Sequence, residues 1–522
     1  MSENLESEVV LGLLPSGWSW VRVADLGVLG EQTVLTGPFG SNLRSDDFIA
    51  DVADAVPVLT IGCLQSRGID RAKAVFIGAD KAAEMERYRL RHGDVMFSRM
   101  ATVGRAGLIG PEYEGALFNY HLMRLRLEKS VIEPYFFIYF VRGAQVVTDH
   151  VRSVNHGVTR DGINTSQLIA MPVALAPRRE QQRVVEAIES YFTRLDDAVA
   201  TLERVERNLK RYRVSVLKCA VEGRLVPTQA ALAKQEGRDY EPASVLLERI
   251  LAERRRRWSE SGKKSKFQAP ISPDTTNLPD LPEGWCWVTV DQVCSHIVDC
   301  PHSTPQWADA GHICVRTTEF LPGHLDLTGA RFVSQAIYEE RIQRLQPQPG
   351  DVLYSREGGI LGIACQVPRG VELCLGQRMM LMRAARPACA RYLMHLLNSP
   401  LILKRVHELT SGSASPHLNV GDIRSFRIPL PPEAEALRIA DAVDDIFSIV
   451  DSADAAIAAN LTRSGRFRQS ILKWAFEGKL ANQDPNDEPA SVLLEHIKAE
   501  RAAYKPAKPT RSKRDAGKKK RA

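Results

Sequence analysis

Two long stretches of the chain repeat apolar residues at alternating steps of three and four. In the first, Ile188, Phe192, Leu195, Val199, Leu202, Val205, Leu209, Tyr212 and Val216 form one stripe, and neither proline nor glycine interrupts 180–222. In the second, Ile439, Val443, Ile446, Val450, Ala453 and Ile457 recur in the same way. An apolar period near 3.5 predicts a helix with one stripe to bury. At 1.5 Å per residue, about forty residues make a rod of about 60 Å. A compact domain cannot bury such a stripe, so the simplest partner for each rod is the other, packed antiparallel.

Outside the rods the pattern changes to short alternating runs. GDVMFSR from Gly93 and GDVLYSR from Gly350 each read as a turn entering a strand. VPVLTIG from Val56 and HICVRT from His312 read as further strands. YFFIYFVRGAQVV from Tyr135 and ARYLMHLLNSPLILKRV from Ala390 read as helical, and MPVALAP from Met171 and RIPLPP from Arg427 as proline-bounded closing strands.

These blocks occur twice, in one order. LPSGWSWV from Leu14 matches LPEGWCWV from Leu281 at six of eight positions, and VLKCAVEGRL from Val216 matches ILKWAFEGKL from Ile471. EPASVLLERILAER from Glu241 matches EPASVLLEHIKAER from Glu488 at twelve of fourteen. The resulting class is α+β: two mixed α/β recognition-type domains separated by two long antiparallel coiled-coil helices, duplicated about a pseudo-twofold axis. The expected boundaries are 11–177 for the first globular domain, 178–224 for the first long helix and 225–280 for a helical segment with a basic linker. The second domain then covers 281–432, the second long helix 433–480, and a helical segment with a basic tail 481–522. The EPASVLLE block would lead from the first rod to the second domain, and its copy back towards the first.

Charge shifts the picture less than its total suggests. The chain carries 69 basic and 63 acidic residues, a net +6. The tail 505–522 holds nine basic residues and one acid, and 254–266 holds seven and one, so the rest of the molecule is at −8. Both basic runs are expected to be solvated segments. With 44% hydrophobic residues the chain is not disordered as a whole. No apolar stretch reaches the length needed to span a bilayer and no leader pattern opens the chain, so a cytoplasmic protein without membrane contact is expected. Nine cysteines without a C-x2-C pair favour buried reduced thiols over a zinc site.

The sequence lacks phosphate-binding glycine loops, H-E-x-x-H, G-x-S-x-G and an Asp/Asn-Pro-Pro-aromatic segment, so no catalytic, cofactor or metal residue is assigned. Two similar but non-identical readers at a fixed separation suit a long regular polymer, and duplex DNA offers half-sites one turn apart. A coiled-coil scaffold without selective DNA binding, or a single-chain DNA-modifying enzyme, stays open as an alternative on this evidence.

TGPFGSNL from Thr36, GDVMFSR, DCPHSTPQW from Asp299, GDVLYSR, LGQRMMLMR from Leu375, GSASPHLN from Gly412 and the EGRL/EGKL rod ends together resemble the specificity subunit of type I restriction–modification enzymes. The likeness runs from Leu14 to about Arg501. It implies a non-catalytic subunit that recognises an asymmetric bipartite target in double-stranded DNA and directs adenine methylation and ATP-dependent cleavage by its partners. Those partners would be two methyltransferase subunits and restriction/translocase subunits. S-adenosylmethionine, ATP and Mg²⁺ would be used by them and not bound directly here. One departure is Ala436, which stands where the first half has Gln181; Glu435 and Glu180 align.

Base reading calls for forked or amide side chains at strand ends and loops. The candidates are Arg99, His121, Thr159 and Arg160 in the first half, and His302, Ser303, Thr304, Arg356, Gln377, Arg378, Ser415 and His417 in the second. Gly93–Asp94 and Gly350–Asp351 are expected to shape turns. The W-x-W pairs, Trp18 with Trp20 and Trp285 with Trp287, are expected to pack as core.

Overall fold

The computed structural model describes residues 11–39, 42–65, 68–100, 103–154, 162–262, 266–412 and 416–504. It divides into two units, one formed by 1–201 with 460–522 and the other by 202–459. Each unit contains one globular domain and parts of both long helices.

The first unit is closed by its own ends. The W-x-W strand Ser19–Arg22 pairs antiparallel with the proline-bounded strand Pro172–Leu175, Trp20 opposite Ala174. A four-stranded sheet runs in the order Val34–Thr36, Leu122–Leu125, Val95–Ser98, Ala106–Leu108. A second four-stranded sheet is built from Leu117–Phe118, Val56–Leu59, Val75–Ile77 and Phe48–Ile49. Every residue of Val95–Ser98 and Leu122–Leu125 is buried, because these strands are covered on both faces.

The second unit repeats this plan. Cys286–Thr289 pairs with Arg427–Leu430, Trp287 opposite Pro429. The matched sheet runs Cys294–Asp299, Met379–Ala384, Val352–Ser355, Ala364–Gln366, with a three-stranded sheet of Arg331–Val333, His312–Val315 and Leu373–Leu375 beside it. Trp18 and Trp285 are buried, while Trp20 and Trp287 lie half-buried and donate to the Gly12 and Pro279 carbonyls.

Each apolar run expected to be helical is helical, in two segments. Pro134–Gly143 and Gln145–Val154 are separated at Ala144. Gly143 is required there, since a Cβ on it would stand 2.3 Å from Leu472 Cβ on the second long helix. Ala390–Leu397 and Pro400–Thr410 are separated at Asn398–Ser399, where Pro400 lacks the N–H a continuing helix would need.

The long helices are Arg178–Val221 and Glu433–Phe476, 44 residues each. Within the first unit, Arg183 reaches Asn482 and Asp487, while Asp196 reaches Arg468, whose guanidinium also covers the Phe192 ring at 4.7 Å. Within the second unit, Arg213 bonds Asp451 and Asp454 and covers the Phe447 ring, while Gln229 bonds Glu435 and Arg438. In both, partner numbers fall as sequence numbers rise, so the packed segments are antiparallel. The expected stripe needs one correction: Val205 and Tyr212 are 39% and 49% exposed, and Glu206 and Arg213 are the half-buried positions there. The covered line keeps alternating steps of four and three through Leu202, Glu206, Leu209, Arg213 and Val216, whereas the apolar stripe takes two consecutive steps of three at 199–205 and so leaves that register.

Both helices end on a left-handed glycine. Gly223 has φ 67° and Gly478 φ 70°. The following amides, Arg224 N and Lys479 N, bond back to the Cys219 and Trp474 carbonyls at 2.9 and 2.8 Å. The EPASVLLE helix Ala243–Glu260 then docks by its first amide on the Gly284 carbonyl (2.8 Å) in the second unit, and Ala490–Ala503 docks on Gly17 (2.9 Å) in the first. Part of the basic run expected as solvated linker is the end of Ala243–Glu260. There Arg254 donates to the Asp291 carbonyl at 2.6 Å, because its guanidinium lies against the start of the second domain. The tail 505–522 lies outside the described residues.

Candidate nucleic-acid interface

The two GD blocks build one device twice. Gly93 and Gly350, at φ 93° and 88°, turn the chain into Val95–Ser98 and Val352–Ser355. The neighbouring carboxylates cap these turns, Asp94 accepting from Arg91 N and Asp351 from Gln348 N, each at 2.8 Å. Each carboxylate also receives a forked pair of bonds from the adjacent strand, Arg126 on Asp94 at 2.8 and 2.8 Å and Arg383 on Asp351 at 2.8 and 2.7 Å. Both aspartates are buried, so these residues are structural, as turn chemistry implies.

At the far end of the same strands the chain leaves the sheet as Arg99 and Arg356. Arg99 N donates to His121 O and Arg356 N to Arg378 O, both at 3.0 Å. The fold thus joins Arg99 with His121 and Arg356 with Arg378. The side chains then diverge.

In the second unit Arg356 is 6% exposed. Its Nε and Nη2 donate to Asp299 at 2.8 and 2.9 Å, its Nη1 donates to the Leu418 carbonyl at 3.0 Å, and Glu357 lies 2.8 Å away. His302 Nε2 is 3.1 Å from the same Asp299 carboxylate. Gln377 donates to the His302 carbonyl at 2.5 Å. Beneath this loop, the buried Arg341 donates to the Ser303 carbonyl at 2.6 Å, to Leu375 O at 2.9 Å and to Gly376 O at 3.2 Å. One guanidinium therefore ties the His302–Thr304 loop to the turn that presents Gln377 and Arg378. His302, Ser303, Thr304, Arg378 and His417 are exposed at its rim. Arg378 adopts φ 68°, a left-handed conformation that costs a side-chain-bearing residue. Ser415 lies outside the described residues.

In the first unit Thr36 takes the place of Asp299. Thr36 pairs with Met123 as Asp299 pairs with Met380, at matched positions of the two sheets. The Thr36 hydroxyl bonds that of Thr165 at 2.8 Å. Arg99 consequently has no carboxylate partner among the described residues; it reaches only the Tyr120 carbonyl at 3.5 Å, and its buried Nε has no acceptor. His121 lies against Tyr120, their rings tilted by 35° with centres 3.9 Å apart. Burial, and then the Arg99 cation, pull its pKa below the ordinary histidine value, so it is neutral at pH 7. Thr159 and Arg160 lie outside the described residues.

Two organising residues escape sequence reasoning. Asp299 stands in the quoted DCPHSTPQW segment but carries no mark of its ion pair. Arg341 lies on the ordinary-looking helix Gln335–Ile342, and no local pattern distinguishes it from a solvated arginine. Among the described residues no group of three or more metal-ligating side chains occurs, and no helix is long and apolar enough to cross a membrane. Cys314 and Cys374 sit opposite one another on paired strands, both buried.

Comparison with known proteins adds to this geometry. Residues 324–462 match the family described as type I restriction modification DNA specificity domain. The EcoKI specificity subunit of Escherichia coli strain K12 is 23% identical over 96% of this chain and 99% of its own length. The StySPI specificity subunit of Salmonella potsdam is 22% identical over the same shares, and the EcoBI subunit of Escherichia coli 25% over 77% and 78%. A chain solved in work on complex assembly and conformational transition of the type I R-M system shares the fold, with TM-score 0.57, 21% identity, and coverage of 90% of this chain and all of that one.

Proposed function

We infer that the chain is the DNA specificity subunit of a type I restriction–modification complex. The observation that carries this reading is the duplicated strand-end centre, Arg99 with His121 and Arg356 with Arg378, in a chain similar to such subunits over nearly its whole length. Two centres of one geometry but different side chains suit a target of two unlike half-sites separated by an unread spacer. The groups at the two rims, half-buried His121 and Arg99 in one and exposed His302, Ser303, Thr304, Arg378 and His417 with half-buried Gln377 in the other, supply donors and acceptors for base edges. Arg356, held by Asp299, instead organises its loop.

On this reading the chain carries no chemistry of its own. Two methyltransferase subunits bring S-adenosylmethionine and modify adenine, and restriction/translocase subunits use ATP and Mg²⁺ to cut unmodified DNA. The long-helix pairs, with Tyr191, Phe467 and Trp474 exposed in one unit and Tyr212 in the other, offer apolar surface for such partners. The test is an adenine-methylation map of the host genome with the gene present and deleted, the partner genes being expressed. Loss of one asymmetric bipartite motif supports the reading, and an unchanged map refutes it.

A further inference from the structure

We propose that the two centres read guanine with arginines from different positions of the duplicated frame, Arg99 in the first unit and Arg378 in the second. The inference rests on the reading above that the chain is a DNA specificity subunit.

The argument starts from what a reading arginine needs. A guanidinium recognises guanine by presenting two parallel N–H donors to O6 and N7, so its fork must be free to leave the protein. Arg356 does not meet that condition, because Nε and Nη2 are both spent on Asp299 and Nη1 on a buried carbonyl. Withdrawing it would leave Asp299 half-buried without its cation.

Arg378 meets the condition. Its side chain is exposed, and no carboxylate is paired with it among the described residues. The turn that carries it is held at three points: the Arg378 carbonyl by Arg356 N, the Gln377 side-chain amide by the His302 carbonyl, and the Gly376 carbonyl by Arg341. These contacts hold a left-handed arginine, and the strain has a use if it fixes where the fork points. Gly358 leaves room beside it, with the site of a Cβ only 3.4 Å from Arg378 Nη1.

In the first unit both substitutions run the other way. The position matching Arg378 is His121, neutral at pH 7, and the position matching Asp299 is Thr36. Without the acid, the strand-end arginine is released from its structural task. Arg99, with an unsatisfied Nε and one long bond, is the forked cation of that centre. A single acid-to-threonine difference therefore exchanges the reading position between the two halves.

The test uses the full chain assembled with its methyltransferase subunits and a duplex library randomised over both half-sites. The wild-type complex is expected to select one guanine in each half. Arg378→Lys keeps the charge but not the fork, and should lower guanine preference by about tenfold or more at one position of one half-site, leaving the other half unchanged. Thr36→Asp, which gives Arg99 an acid, should do the same in the other half. Arg99→Lys repeats that test without altering the strand. Selection of the wild-type motif by Arg378→Lys, or by both first-unit variants, overturns the proposal. Selection of no motif by the wild-type complex overturns instead the specificity-subunit reading on which it rests.

Discussion

Trp285 donates its indole N–H to Glu435 Oε1 at 3.0 Å, while Glu435 Oε2 accepts the Gln229 backbone N–H at 2.7 Å. One fully buried carboxylate thus joins the head of the second long helix to the entrance of its recognition domain and to the connector from the first helix. Glu180, also buried, receives Gln483 at 3.3 Å in the equivalent place of the other unit. Burial pushes both carboxyls above the ordinary glutamate value, and their hydrogen bonds only partly offset it. The folded protein therefore holds these protons more tightly than the unfolded chain, so stability falls as pH rises from about 4.5 through the folded values. Glu435→Gln removes that slope from the second unit. Denaturant titrations from about pH 4 to 7 should show the wild type losing stability relative to the variant over this interval. The variant also carries a constant penalty of about 1–3 kcal/mol, because an amide NH₂ then faces one of two buried donors.

The Asp94–Arg126 and Asp351–Arg383 pairs carry the turns that aim the strand-end centres. Asp94→Asn or Asp351→Asn leaves a forked guanidinium facing an amide donor. Each is expected to cost about 2–4 kcal/mol, less than a fully buried pair because the arginines remain partly solvated. Thermal unfolding measures the loss. The two variants should behave alike, since both pairs have the same geometry.

How much of this was legible follows from the range of each interaction. Helices, strands and turns depend on neighbours in sequence, so the GD turns, the proline-bounded closing strands and the long helices could be read from local pattern and duplication. The positions of Val205 and Tyr212 could not, because the apolar residues there leave the four-and-three register that the covered line keeps, and only packing against the partner helix fixes the phase. The break at Ala144 was hidden for a related reason, since Gly143 is dictated by Leu472, more than 300 residues away, whereas the break at Asn398–Ser399 is marked locally by Pro400. At the candidate centres, residue types on strand ends marked Arg99, His121 and Arg378 as candidates. They could not distinguish exposed Arg378 from Arg356, whose role depends on Asp299 arriving from another strand.

The helix-ending glycines make a paired test of the duplicated scaffold. A Cβ on Gly223 would stand 2.6 Å from Pro282 Cγ, and one on Gly478 2.5 Å from Pro15 Cγ. Both positions also require a left-handed backbone. Gly223→Ala and Gly478→Ala should each destabilise by at least about 1 kcal/mol through the backbone alone, and more through the proline contact. Differential scanning calorimetry should detect both losses, and a wild-type melting profile for either variant would show that the cradle yields.

Exchange of a recognition domain should change one half of the target only. Entry and exit of the first domain lie side by side, because Ser19–Arg22 pairs with Pro172–Leu175, so a foreign domain can replace 11–177 without stretching the long helix. Its fit depends on the surface that meets the helices. Phe136 and Phe140 pack edge-on against Phe476, both at 5.3 Å, and Gly143 admits Leu472. A chimera that keeps aromatic residues at 136 and 140 and glycine at 143 is expected to fold and to methylate a motif with one new half-site and one original one. The same chimera with Gly143→Leu should fail to assemble, since the added side chain would occupy the space of Leu472. Methylation maps of the two chimeras, with their solubility and melting temperatures, separate loss of folding from change of specificity. A chimera that folds but alters both halves would show that the domains do not read independently.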